Sequence, residues 1–299
     1  MSLYNGAALA QLYASHRAAV ESGAEIYVPT GISPLDAVLG GYRRGGLYVL
    51  CGRPGMGKTS VGLTAALAEA QTKRVLYISL EQSAQELALW SIAAIGNINR
   101  TPLQRSTELS ESVRGATVRA AEVLSGLKLT ILDDTASTGG IARAVEETRA
   151  EVVYVDHIGI ITPGEEDRAR SRYEQTTNIS RQLKLIARHY NIPIIAMAQL
   201  NRANEGRTEK RPTLADLRDS GSIEQDADGV IGVYREQYYS AEQADATVGQ
   251  TVELIVRKNR HGETGTATCI WTPASGHVIG GPEFMAANDD SGSQIEIPF

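Results

Sequence analysis

The sequence predicts an α/β protein: a largely parallel, twisted sheet flanked by helices on both faces, with an antiparallel extension. Three observations predict it. Short apolar runs alternate with stretches of helical period between residues 46 and 199. Several of these runs are apolar throughout, as strands covered on both faces are. From residue 228 onward, three more runs follow with no long helical stretch between them, which reads as antiparallel pairing.

Taken in order, "GAALAQLYASHRAAVES" (6–22) is a helix with Leu9, Leu12, Tyr13 and Val20 near one face. It precedes the folded body, so that face needs a partner surface. In "TGISPLDAVLGG", Ser33 is placed to cap a helix, Pro34 to be its first residue and Gly40 or Gly41 to stop it. "GLYVLC" (46–51) is a strand, followed by a helix over 59–70. "RVLYISL" (74–80) is the next strand, with a helix from Ser83. "LKLTILDD" (127–134), a helix over 138–149, and "VVYVDH" (152–157) continue the alternation. The longest helix spans 173–190, with Ile179, Leu183, Ala187 and Tyr190 on one face, and "IPIIAMAQ" (192–199) follows it. "DGVIGVY" (228–234), "TVELIVRKNR" (251–260) and "ATCIWT" (267–272) complete the sheet. Residues 282–299 are rich in Gly, Ser and Asp and read as a disordered acidic tail.

A chain of 299 residues, 42% hydrophobic and 21% charged, is long enough to bury a real core. No apolar run reaches the ~20 residues that span a bilayer. The N-terminus shows no basic segment followed by an apolar one, so no secretory signal is expected and the location expected is cytoplasmic. Cys51 and Cys269 are far apart and have no metal or redox spacing, which suits buried thiols in a reducing compartment. The net charge is −6, and five carboxylates after Arg260 account for most of it. A nearly neutral body can carry a local basic channel.

The chemistry is concentrated in "GRPGMGKTS" (52–60). Gly52, Gly57, Lys58 and Thr59 match the phosphate-loop pattern G-x-x-x-x-G-K-[ST], set between a strand and a helix. Glycines let backbone N–H groups curl around phosphates, and the helix N-terminus adds positive potential. The loop residues Arg53, Pro54, Gly55 and Met56, with Ser60 beyond, complete the expected ATP-binding stretch. Lys58 would reach the β- and γ-phosphates, and Thr59 would hold Mg²⁺. Asp156, where "VVYVD" emerges, is the expected second metal anchor. Glu81 ends "LYISLE" and Gln199 ends "IIAMAQ", both at strand ends that face a ligand crevice. Glu81 reads either as the group that activates water or as a solvated residue at a helix start. Gln199 could sense the γ-phosphate.

"PTGISPLDAVLGGYRRGGLYVLCGRPGMGKT", "ISLE", "VVYVDH", "IPIIAMAQLNR", "KRPTLADLRDSGSIEQDAD" and "VRKNRHGETGT" occur in that order over about residues 27–275. This series resembles the ATPase domain of DnaB-type replicative DNA helicases, which are built on the RecA-like fold. The resemblance implies a RecA-like ATPase domain over 27–281, preceded by a linker-like helix in 1–26. It implies a ring, usually a hexamer, with ATP between subunits and single-stranded DNA in the channel, moving 5′ to 3′. Glu81 matches the catalytic carboxylate and Gln199 the γ-phosphate sensor. Lys258 and Arg260 match the basic pair that the neighbouring subunit inserts. For DNA, the matching loop holds Arg218, Asp219 and Gly221. A second loop, with Arg168, Arg170 and Arg172, is open between a DNA contact and a charged surface loop.

The sequence departs from the family in places. Asp219 stands where the family usually has Glu, and "DHIG" where it usually has "DYLQ". At this length the chain is expected to lack the family's N-terminal collar, which would suit phage or plasmid versions. The ending "NDDSGSQIEIPF" resembles the acidic tip of bacterial single-stranded DNA-binding proteins, which would suit primase, loader or other replication partners. Two rival readings stay open. One is a RecA- or RadA-type recombination or branch-migration ATPase. The other is a module in which ATP drives assembly alone.

Overall fold

The computed structural model describes residues 5–134, 137–164, 171–200, 209–220, 223–239 and 248–280. Its centre is a nine-stranded sheet made of β3 (Leu47–Gly52), β4 (Val75–Ser79), β5 (Leu129–Leu132), β6 (Val152–Asp156), β7 (Ile194–Gln199), β8 (Gly229–Tyr234), β9 (Gln250–Asn259), β10 (Gly265–Trp271) and β11 (Val278–Gly280). The order is β11-β10-β9-β8-β3-β7-β6-β4-β5. Strands β8 through β5 in that order are parallel, and β9, β10 and β11 are antiparallel. The predicted antiparallel extension is therefore one edge of the sheet. A separate two-stranded ribbon pairs β1 (Tyr27–Val28) with β2 (Tyr42–Arg43).

Residues alternate between the faces of each strand, so β3 serves two cores. Leu47, Val49 and Cys51 pack with Ile179, Leu183 and Ala187 of α8 (Arg172–Tyr190) and with Ile141 and Val145 of α7 (Thr138–Thr148). Tyr48 and Leu50 face the other way, toward Leu35 and Leu39 of α2 (Ser33–Leu39) and Val61, Leu63 and Leu67 of α3 (Lys58–Glu69). On this second face α4 (Ala84–Gly96) also packs, with α6 (Glu111–Gly126) outside it; α5 (Arg100–Arg105) lies between them in the chain. Both cysteines are free and buried, and burial pushes each thiol up to about 12.

One expected cap shifts by a residue. Ile32, not Ser33, caps α2, and Ser33 is already helical. The turn is fixed by other groups: Thr30 N donates to Asp36 Oδ1 at 2.7 Å, and Ile32 N donates to Thr30 Oγ1 at 3.2 Å. Gly40 stops the helix at φ 77°, a backbone angle that favours glycine. Helix α1 (Gly6–Glu21) forms as expected, capped by Asn5, and none of its residues is buried. The tail from residue 281 lies outside the described residues.

Candidate functional site

Chain reversal between β3 and α3 builds the site. Gly52 ends β3, residues 53–57 turn, and Lys58 opens α3. Gly55 and Gly57 have φ of 76° and 94°, where a side chain is strained, so the loop can close tightly enough to direct N–H groups inward. Lys58 Nζ folds back over the loop, donating to Gly52 O (3.0 Å) and Arg53 O (3.2 Å). Burial lowers its pKa. An arriving phosphate would exchange those carbonyls for a full negative charge.

Strand tips gather the other predicted groups. Gln199, the last residue of β7, is in register with Gly52. Asp156, the last residue of β6, is 1% exposed. Its Oδ2 accepts from Thr59 Oγ1 at 2.7 Å and from Tyr77 OH at 3.2 Å. Burial raises the Asp156 pKa, opposed by those two hydrogen bonds. One hydroxyl and one carboxylate oxygen so close together suit a hard cation that takes its other ligands from phosphates and water, as Mg²⁺ does. Among the described residues, no group of three or more His, Cys, Asp or Glu could hold a metal ion.

Glu81 stands just beyond β4, with its side chain half exposed and Oε2 3.8 Å from His157 Nε2. Lys58, Thr59, Glu81, Asp156 and Gln199 line one pocket of about 310 Å³, with Pro54, Gly55, Gly57 and Ser60 of the loop. Arg53 lies over the Tyr239 ring at 5.9 Å, and Met56 is buried. The pocket also has a wall that the sequence reading missed, formed by Trp90, Arg100 and Trp271. Arg235 lies over the Trp271 ring at 3.8 Å and donates to Gly55 O, tying this wall to the phosphate loop.

Lys258 and Arg260 lie elsewhere. Because β9 runs antiparallel to β8, its end is at the amino ends of the parallel strands, with Asn259 opposite Gly229. The phosphate loop is at their carboxyl ends. Lys258 Nζ donates to Glu224 O (2.6 Å), and Arg260 Nη1 donates to Asp228 Oδ1 (3.1 Å). Asp228 is also paired with Lys184, and it accepts from Leu47 N. Arg43, Arg44, Arg188 and His261 line the same basic cleft. Neither Lys258 nor Arg260 can thus serve its own chain's phosphate loop.

Of the DNA candidates, Arg218 and Asp219 fall in a 3-10 helix (Leu214–Ser220), but their side chains lie outside the described residues. Gly221, Arg168 and Arg170 lie outside them entirely. Arg172 opens α8, and its side chain is likewise not described.

This arrangement of phosphate loop, metal pair and strand-tip carboxylate belongs with the motif order of the sequence. Residues 27–277 match the DnaB-like helicase C terminal domain. The chain belongs to this family. It is 36% identical over 247 residues to the replicative DNA helicase DnaB of Geobacillus stearothermophilus, covering 80% of this chain and 53% of that protein. It is 35% identical over 249 residues to the replicative DNA helicase DnaC of Bacillus subtilis, covering 81% and 54%. The chain thus spans about half the length of these relatives. Among solved structures, the ATPase domain of G40P superposes with a TM-score of 0.84 at 29% identity, covering 93% of this chain and 99% of that one. A DnaB-like replicative helicase, described with its interactions with primase, gives 0.81 at 29% identity, covering 93% and 67%. A KaiC-like protein of Pyrococcus horikoshii gives 0.56 at 17% identity, a likeness of fold alone. The DnaB-like family member therefore has the RecA-like sheet that its motifs imply.

Proposed function

We propose that this chain is the ATP-driven motor of a replicative DNA helicase, a ring in which ATP is held at one subunit's phosphate loop and its site is completed by the next subunit. The observation that carries this reading is the Thr59–Asp156 contact beside Lys58, within a chain of the DnaB-like family. Lys58 and the loop N–H groups hold the phosphates. Mg²⁺, held by Thr59, Asp156 and phosphate oxygens, would supply charge neutralisation on the triphosphate. Glu81 orients or deprotonates the attacking water, and Gln199, on the neighbouring strand tip, contacts the γ-phosphate.

The basic pair Lys258 and Arg260 acts on the neighbour's nucleotide, since it stands at the far end of its own sheet. An arginine supplied this way stabilises charge on the transferred phosphoryl, worth ~10³–10⁵ in rate in other NTPases. The ring, a hexamer by family resemblance, explains a second feature. Helix α1 exposes Leu9, Leu12 and Tyr13 by 56%, 51% and 67%, a face suited to docking on the next subunit. Single-stranded DNA runs through the channel on Arg218, Asp219 and Gly221, with Arg168, Arg170 and Arg172 as a second loop. Arginine and backbone contacts to phosphate carry no sequence information, which suits a motor that crosses any sequence. Primase or a loader joins through surfaces outside the described residues, the acidic Ile-Pro-Phe tail among them. No helix among the described residues is long and apolar enough to cross a membrane, and the cytoplasm is the compartment we assign.

The test is ATP hydrolysis by the purified protein at low salt, with and without single-stranded DNA, beside Glu81→Gln as the inactive control. DNA stimulation that vanishes in the control supports the motor. Turnover indifferent to DNA in a formed oligomer refutes it.

A further inference from the structure

The nucleotide pocket contains a cation that no step above uses. Arg100 is the first residue of α5, which is capped by Asn99 through Thr101 N at 2.9 Å. Its guanidinium lies over the Trp90 ring, 4.7 Å from the centroid. It lines the pocket beside Gly57, Ser60 and Trp271. The backbone N–H of Arg100 donates to Ala274 O at 2.9 Å, and Nη2 makes a long contact of 3.4 Å to Pro273 O. The turn after β10 is shaped around this side chain. Gly276 has φ +77°, and a Cβ there would stand 2.3 Å from Arg100 Nη2.

No carboxylate among the described residues pairs with Arg100. Arg44, Arg211 and Arg260, in contrast, each rest on one. Burial alone lowers the Arg100 pKa. A half-buried guanidinium without a counter-charge is unfavourable, and an entering anion removes that penalty. The guanidinium is held over the Trp90 ring, and of the five N–H donors in its planar fork Nη2 makes the long contact to Pro273 O. Position narrows the target. Arg100 bonds to Pro273 and Ala274, two and three residues beyond Trp271, and the Trp271 ring lies 3.9 Å from where a Cβ on Gly57 would stand, at the start of α3. In the reading proposed above, Glu81, Asp156 and Gln199, at or just beyond the strand tips, serve the γ-phosphate end.

We propose that Arg100, laid on Trp90, is a nucleotide-binding residue that donates to the phosphate oxygens common to ADP and ATP. This rests on the ATP reading of the phosphate loop. The test is equilibrium binding of Mg·ATP, Mg·ADP and Mg·GDP to the full chain and its Arg100→Ala, Arg100→Lys and Lys58→Ala variants, with melting temperature measured without nucleotide. Arg100→Ala should weaken both nucleotides by the same factor, about 10- to 100-fold, the value of a charge-assisted hydrogen bond. Arg100→Lys should recover only part, because an ammonium lacks the planar fork.

Trp90 supplies a readout that a purely structural role would not move. The chain has two tryptophans, Trp90 and Trp271, and both line this pocket. In a Trp271→Phe background, ADP should change Trp90 emission, and adding Arg100→Ala should abolish that change at saturating ADP. Unchanged affinity in Arg100→Ala overturns the proposal. So does a loss confined to ATP, which would put the contact on the γ-phosphate, or a loss that differs between adenine and guanine nucleotides, which would put it on the base. If Arg100→Ala lowers the melting temperature, Arg100→Gln, which keeps a polar side chain without the charge, decides by the same criteria. Lys58→Ala separates the two failures: undiminished binding there would count against the phosphate-loop reading itself.

Discussion

Replacing His277 with a side chain that cannot be protonated should flatten the acid limb of this protein's stability curve. His277 is 9% exposed and lies just before β11, where the next residue, Val278, donates from N to Thr64 Oγ1 on α3. Burial lowers its pKa from 6.5 to about 4. Below 6.5 the unfolded chain takes up a proton on this residue, and the folded chain does so only near 4. The unfolded state therefore binds more protons across that window, and stability falls as pH falls through it. Each pKa unit corresponds to about 1.4 kcal/mol, so the full loss through this group is about 3 kcal/mol, of which about 2 has appeared by pH 5. The assay is urea unfolding of wild type and His277→Leu at several pH values between about 7 and about 5. The variant will differ in absolute stability, so the comparison is the slope with pH. Other titrating groups contribute alike to both proteins, and the slopes should diverge by about 2 kcal/mol over that range. Parallel slopes would refute the reasoning, because they would mean that His277 is solvated enough to titrate alike in both states.

Two other predictions concern the site. Burial raises the Asp156 pKa, so as pH falls its carboxyl takes up a proton in the folded protein before an ordinary aspartate does. The Mg²⁺ concentration needed for nucleotide binding should then rise with acidity above the ordinary aspartate range, and should be flat in Asp156→Asn; an unchanged Mg²⁺ requirement in the wild type would contradict this. Arg260→Ala should keep nucleotide binding but lose ~10³ or more in turnover. Mixing it with Lys58→Ala should restore part of the activity, since each variant supplies what the other lacks; mixed oligomers without recovery would place Arg260 outside the neighbour's site.

Much of this architecture could be read from the sequence because two physical signals are strong. β3, β6 and β8 are buried on both faces, so each appears as an unbroken apolar run. The phosphate loop is contiguous, and two of its glycines, Gly55 and Gly57, have the positive φ that favours glycine. Where the signals were weak, the structure added elements. Helix α6 buries only Ala120 fully, so its apolar stripe hardly shows. Strand β11, three residues long, exists through its pairing with β10. The Ile32 cap depends on Thr30 and Asp36 acting across a turn, whereas the sequence offered Ser33 before Pro34 as the simpler solution.

The wall of Trp90, Arg100 and Trp271 was hidden for a different reason. Its residues come from α4, α5 and β10, and no spacing rule links them. A visible clue did exist in the composition: the chain has only two tryptophans, though that alone could not place both beside the same loop. Lys258 and Arg260 show the opposite case. Their motif was legible, but its meaning depended on direction. Only the antiparallel course of β9 puts them at the end of the sheet away from their own phosphate loop. In the proposed function, a cation there acts on a nucleotide only if a second subunit presents one, so that reading makes assembly part of the chemistry.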